Sequence, residues 1–178
     1  PYVDARRLAI TGASGGGTQS FMMGALDPRL AVCFPAVMVS TAMQGGCTCE
    51  NASGLRIHAG NVEIAALVAP KPLGMTGAND WTVEMTTKGF PQLQRLYEML
   101  GHKERVSLTA LNHFGHNYNY VSRSAMYHFM NEHLGLGLPT PIVEEDYLRL
   151  SRSQLTVWSN GHTRLDGGEA FEKTLLKH

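Results

Sequence analysis

Residues 8–16, Leu-Ala-Ile-Thr-Gly-Ala-Ser-Gly-Gly, constrain the fold more than any other stretch of this chain. An apolar strand runs into Gly-x-Ser-x-Gly with Ser14 at its centre, and a helical pattern follows through Phe21, Met22, Ala25 and Leu26. A strand that becomes a helix within so few residues leaves the central serine at the tip of a sharp bend, with its hydroxyl exposed. Such a bend forces the serine into a strained backbone conformation. The residues two before and two after it, Gly12 and Gly16, are therefore expected to be small for want of room. The amide of Gly15 is expected to face the place where a tetrahedral oxyanion would form, and the positive end of the new helix adds to the field there. The pattern reads as a setting for a nucleophilic serine.

The rest of the chain alternates strand and helix. Residues 7–11 feed the bend, and the helix over 16–26 is closed by Asp27-Pro28. Residues 30–39 form a nearly continuous apolar run, as expected of a strand buried on both faces of a parallel sheet. The polar, glycine-bearing stretch 40–60 is long for a bare connection and reads as a functional loop or small excursion. A short helix is expected over 61–69, broken by Pro70-Lys71-Pro72, and then a strand over 73–78. Leu93, Leu96, Tyr97 and Leu100 recur at helical spacing over 91–100, and Gly101 supplies the stop. A strand over 105–111, a polar loop over 113–119 and an amphipathic helix over 121–134 complete the pattern, the last carrying Ala125, Phe129 and Met130. The fold class expected is α/β, a mostly parallel sheet flanked by helices. Pro139-Thr140-Pro141 opens a linker, which divides the chain into a domain over 1–138 and an extension of unknown role over 139–178. Within the extension, 154–158 reads as a strand or an irregular stretch, and 169–177 as the start of a helix.

Composition excludes several roles. The 15 basic and 15 acidic side chains cancel, and no run of Lys or Arg forms a basic patch, so no nucleic-acid partner is expected. No apolar stretch approaches the ~20 residues of a membrane span. Of the three cysteines, Cys33 lies in the apolar run and reads as a small core residue. Cys47 and Cys49 are separated by one residue, which suits zinc poorly, and no second ligand pair follows. No metal site is expected; the alternative for these two is a disulfide to another part of the protein.

A nucleophilic serine needs a base and an acid, and after a bend of this kind the chain order is serine, acid, histidine. The acid belongs after the second strand beyond the bend and the histidine after the third, which selects Asp80 and His116. In that assignment Ser14 attacks an acyl carbonyl, His116 takes and returns its proton, and Asp80 fixes the histidine tautomer. His113 is the competing base, and Glu50 and Glu63 are competing acids; Asp80 itself could serve only a turn. The remaining histidines, at 58, 102, 128, 133, 162 and 178, read as surface or helix residues. Trp81 reads either as a wall of the substrate pocket or as packing between loop and sheet. Asn117 and Tyr118 are candidates for ordering the histidine loop, and Met22, Met23, Met38 and Met43 read as core filling.

Several blocks together resemble one family. Gly-Ala-Ser-Gly-Gly-Gly-Thr-Gln at 12–19, Gln-Gly-Gly-Cys-Thr-Cys-Glu-Asn at 44–51 and Asn-Val-Glu-Ile-Ala-Ala-Leu-Val-Ala-Pro-Lys-Pro at 61–72 look like bacterial α/β-hydrolases of the acetyl xylan esterase-like kind. Asn-Asp-Trp-Thr at 79–82 and His-Asn-Tyr-Asn at 116–119 continue the match, which covers residues 5–140. Where such proteins commonly carry glycine before the aspartate, this chain has Asn79. The resemblance implies a cofactor-free serine esterase that deacetylates acylated carbohydrate such as xylan, secreted or periplasmic, with Ser14, Asp80 and His116 as its triad. An α/β-hydrolase builds several strands before its nucleophile, whereas Ser14 comes almost at once here. The expectation is therefore the C-terminal half of that fold, with the N-terminal strands and the second oxyanion donor upstream of Pro1. Two other functions fit less well: a serine peptidase of the prolyl oligopeptidase kind, with the same residue order, and a non-catalytic carbohydrate-binding relative, which has no need of all three residues.

Overall fold

The apolar run becomes the spine of the sheet. In the computed structural model, which describes residues 3–41, 50, 54–159, 161–163 and 167–177, four strands lie side by side in chain order: β1 (Leu8–Ala13), β2 (Leu30–Ala36), β3 (Leu73–Ala78) and β4 (Val106–Leu111). Every pairing is parallel, with Ile10 opposite Cys33 and Leu73 opposite Val106. Parallel neighbours require crossovers, and these are α1 (Gly15–Leu26), α2 (Asn61–Ala66) and α3 (Gly89–Met99), followed after β4 by α4 (Tyr120–Leu134).

Alternation along β2 feeds two hydrophobic layers. Cys33 points into a core with Phe21 of α1, Leu73 and Met75 of β3, and Leu93 and Tyr97 of α3, all nearly or fully buried. Val32 and Phe34 point the other way, onto Phe129 and Met130 of α4. The Phe34 and Phe129 rings meet at 5.5 Å with a tilt of 58°. Gly74 of β3 lies beneath that pair, and a Cβ there would collide with both rings. Covering both faces by helices explains why β2 and β3 read as unbroken apolar or small-residue runs.

Helix α1 docks through its small residues. Its buried positions are Gly17, Thr18, Ser20, Phe21 and Gly24, whereas Leu26 is 72% exposed and Met23 is also exposed. The apolar pattern expected at Phe21, Met22, Ala25 and Leu26 thus marks the inner face only in part. Backbone approach decides the rest: a Cβ on Gly17 would stand 2.8 Å from the Ala36 carbonyl oxygen, and one on Gly24 2.8 Å from Cys33 Sγ. At the far end of α1, Lys71 Nζ donates to the Gly24 and Asp27 carbonyls at 2.8 and 3.2 Å, a cation at the negative helix end. Of the methionines expected in the core, Met38 is fully buried and Met22 partly so, while Met43 lies outside the described residues.

The chain divides into two compact units, Pro1–Glu144 and Glu145–His178. The first ends in a clamp. Arg123 of α4 donates from Nε and Nη2 to the Glu144 carboxylate at 2.5 and 2.7 Å, and the Tyr127 hydroxyl donates to it at 2.6 Å. These donors, Arg123 foremost, hold the Glu144 carboxyl at about 2, below its ordinary 4.5. A carboxyl depressed on folding adds stability above its unfolded value and loses it as pH falls toward the folded one. We expect the melting-temperature gap between wild type and Glu144→Gln to be present at neutral pH and to close as pH drops from about 4.5 to about 2. Melts across that range check it.

The second unit holds α5 (Arg152–Leu155), α6 (Gly168–Leu175) and an isolated antiparallel bridge between Ser159 and His162. Residues 156–158 are irregular, and α6 answers to the helix expected over 169–177. Ser151 caps α5, its hydroxyl accepting from the Gln154 amide at 3.3 Å.

Candidate active site

The bend after β1 carries the strain its sequence requires. Ser14 has φ 57° and ψ −122°, positive φ for a residue with a side chain, and α1 begins at the next residue, Gly15. Two backbone bonds hold it: Ser14 N–H donates to the Ala36 carbonyl at the end of β2, and its own carbonyl accepts from Thr18 N–H, both at 3.0 Å. Gly12 is required for the reason expected, since a Cβ there would stand 2.5 Å from the Gly16 carbonyl oxygen. Gly16 differs: among the described residues nothing lies within 4 Å of a Cβ placed on it. The crowding falls instead on Gly17, one residue further along.

A parallel sheet brings the ends of its strands to one edge, and the loops leaving that edge carry the other candidates. Asp80 follows β3 and His116 follows β4. His116 Nδ1 lies 2.7 Å from Asp80 Oδ2, with the aspartate side chain 5% exposed and the imidazole 33% exposed. Asp80's other oxygen, Oδ1, accepts from Thr82 N–H at 2.7 Å and from the Thr82 hydroxyl at 2.5 Å. The Trp81 indole packs against the core and lies over His116, ring centroids 4.4 Å apart at 36°. The reading of Trp81 as packing between loop and sheet describes this setting. Its carbonyl accepts a short hydrogen bond from the fully buried Ser40 hydroxyl.

The histidine loop is tied down on both sides. The Phe114 carbonyl accepts from Asn79 N–H at 2.8 Å, joining it to the aspartate turn. Tyr118, two residues past His116, brings its hydroxyl within 3.2 Å of the Thr11 hydroxyl on β1, three residues before Ser14. Burial pushes the Tyr118 phenol above its ordinary value. Asn117 and Asn119 shape the entry to α4, Asn117 Oδ1 accepting from Asn119 N–H at 2.8 Å and Asn119 Oδ1 from Ser122 N–H at 3.1 Å.

The competitors separate clearly. His113 is exposed and stacks on its neighbour Phe114 at 4.1 Å. Glu63 is exposed and accepts from Gly60 N–H at 2.8 Å, capping α2. Glu50 is different: it is 6% exposed and its Oε1 accepts from the Ser14 hydroxyl at 3.3 Å. Arg56 Nη1 donates to the Glu50 carbonyl, and Arg56 Nε to Asn61 Oδ1 at 2.7 Å. Residues 42–49 and 51–53 of that loop, Cys47 and Cys49 included, lie outside the described residues. Among the described residues no group of three or more His, Cys, Asp or Glu side chains is arranged to hold a metal ion, and no helix is long and apolar enough to cross a membrane.

No protein-family model matches the sequence, and no curated protein does. Solved structures do. The chain is similar to Methylesterase BT1017 at 32% identity and a TM-score of 0.71, over 74% of this chain and 31% of that one. It shares its fold with a carbohydrate esterase family 15 (CE15) glucuronoyl esterase from Caldicellulosiruptor kristjansonii, at 21% identity and TM-score 0.63, over 88% of this chain and 51% of the other. A recombinant glucuronoyl esterase from Sporotrichum thermophile matches at 22% identity and TM-score 0.57, over 90% and 52%. The chain therefore spans about a third to a half of the length of these structures. A strained serine between β1 and α1, parallel strands in chain order and this set of likenesses lead to one architecture: the chain has the α/β-hydrolase fold.

Proposed function

We propose that this chain carries the triad of a serine esterase acting on carbohydrate esters. Ser14 is the nucleophile, His116 the base and Asp80 the acid, and the Gly15 amide contributes to the oxyanion hole. The observation that carries the reading is the 2.7 Å His116–Asp80 hydrogen bond on the same strand-end edge as the strained Ser14. With Nδ1 engaged by Asp80, Nε2 is the nitrogen left to act on the serine proton. Ser14 Oγ adds to the acyl carbonyl as its proton passes to His116. The tetrahedral adduct collapses, and the leaving alkoxide takes that proton to depart as the alcohol. Water, deprotonated by His116, then cleaves the acyl-serine and releases the acid. Phosphonylation by a fluorophosphonate tests the nucleophile without assuming a substrate. An adduct mapped to the Ser14 peptide is expected, and a folded protein left unlabelled would sink the proposal.

For the ester itself we propose an acetyl group on a plant polysaccharide such as xylan. The names of the similar structures favour a second reading, a uronic acid esterified through its own carboxyl group. Acetate release from acetylated xylan, measured beside methanol release from a methyl glucuronate ester, separates them.

The contact between Ser14 and Glu50 supports a second assignment of the acid. We expect Asp80→Asn to lower kcat by ~10⁴-fold, since the histidine loses its orienting carboxylate. Glu50→Gln should cost about tenfold, the scale of one hydrogen bond to the serine. Kinetics with the two costs reversed would transfer the acid's role to Glu50.

A further inference from the structure

We propose that Thr82 is the positioning residue of this site, aiming the Asp80 carboxylate at His116; the inference rests on the triad proposed above. Asp80 sits in a turn, where a short side chain ordinarily rotates among several hydrogen-bonding arrangements. Here one rotamer is selected. The Thr82 hydroxyl oxygen accepts from Ala78 N–H, the last amide of β3, at 2.9 Å. That bond occupies a lone pair and directs the hydroxyl proton elsewhere, and the acceptor at 2.5 Å is Asp80 Oδ1. Thr82 N–H reaches the same oxygen at 2.7 Å. With Oδ1 held twice from one side, Oδ2 is left facing His116 Nδ1 at 2.7 Å.

Thr82 is 2% exposed, so its hydroxyl is shielded from solvent. The turn around it is also fixed, by Ser40 on the Trp81 carbonyl and by Asn79 N–H on the Phe114 carbonyl. The hydroxyl therefore works as a strut between the rigid end of a central strand and the carboxylate. A β-branched side chain suits the task, since its χ1 is stiff. Serine can make the same two bonds. Valine keeps the shape and loses both, and alanine loses both without adding bulk.

The test reads the His–Asp contact directly and then its consequence. By proton NMR at low temperature, the downfield imidazole Nδ1 proton of His116 should be visible in wild type and Thr82→Ser, and lost or broadened in Thr82→Val and Thr82→Ala. In ester hydrolysis kcat should fall ~10²-fold in Val and Ala with KM unchanged, the scale of a small misplacement, and return to within a few-fold in Ser. If Val or Ala, whichever folds, keeps both the proton signal and kcat, the proposal is overturned. Loss of the signal in a folded Ser variant overturns it too, because the hydroxyl would then not be what aims the acid. The NMR arm does not depend on turnover, so a failure of the esterase reading leaves it standing as the judge of Thr82.

Discussion

Ser14→Ala should lower kcat/KM for p-nitrophenyl acetate by 10⁴-fold or more, with the fold intact. The size follows from what is removed: without the hydroxyl there is no acyl-enzyme, and only binding and the oxyanion donors remain to favour reaction. The backbone gives this prediction a second arm. Ser14 occupies φ 57° and ψ −122°, a sparsely populated conformation that costs a residue with a side chain roughly 1–3 kcal/mol. Glycine does not bear that cost, so Ser14→Gly should be as inactive as Ser14→Ala while melting no lower than wild type. Inactivity without any loss of stability would mark the hydroxyl, and not the backbone, as what this position supplies. Equal rates in wild type and folded Ser14→Ala would remove the nucleophile from the scheme. Loss of activity through unfolding would show in the melt.

Gly12→Ala should be the most damaging single methyl at the bend between β1 and α1. Its Cβ would lie 2.5 Å from the Gly16 carbonyl oxygen and 2.6 Å from the carbonyl carbon, both backbone atoms with no rotamer to yield. Strand β1 and the first turn of α1 would have to separate. Overpacking of this kind costs about 3 kcal/mol. For a chain of this size that is a fall of roughly 6–12 °C in Tm. Activity should fall with it, because the displaced turn carries Ser14. Gly16→Ala is the control: its Cβ meets nothing within 4 Å, and alanine is the better helix former. Its Tm should be unchanged or slightly higher. Comparable losses in the two variants would mean that the close approach of the two arms is not what requires glycine.

Much of the architecture was legible in the sequence because burial leaves a periodic mark. Strand β3 occupies the expected residues, Leu73–Ala78; it is buried throughout, with Pro70-Lys71-Pro72 on one side and Asn79-Asp80 on the other. The apolar run from Leu30 misled at its end. It continues to Val39, yet β2 stops at Ala36: Val37, still buried and donating its N–H to the Thr76 carbonyl of β3, turns to φ 46° and ends the strand. Apolarity reports burial, and strand pairing is a separate matter. The helix expected over 61–69 shows the same limit: α2 ends at Ala66, and the buried Val68 beyond it belongs to a turn.

The candidate site divides along similar lines. Ser14, Asp80 and His116 follow strand ends, so topology places them on one edge from sequence alone. Thr82 left no comparable signal, since its part depends on where the last amide of β3 points. The proximity of Glu50 to Ser14 was hidden for another reason: it comes from a long loop without periodicity, whose path only the fold determines. Gly17 lies outside the Gly-x-Ser-x-Gly pattern, and its need for glycine comes from the Ala36 carbonyl of β2, a neighbour distant in sequence.

The 2.8 Å bond from Asn79 N–H to the Phe114 carbonyl has a mechanical consequence. It rivets the turn bearing the aspartate to the loop bearing the histidine, so motion of that edge carries both side chains as one body. Ser14 is fastened to the β2 end through Ala36. Two further bonds, from the Ser40 hydroxyl to the Trp81 carbonyl and between the Tyr118 and Thr11 hydroxyls, tie the serine side to these loops. Parting serine from imidazole would therefore break those two bonds while leaving the imidazole–carboxylate pair intact.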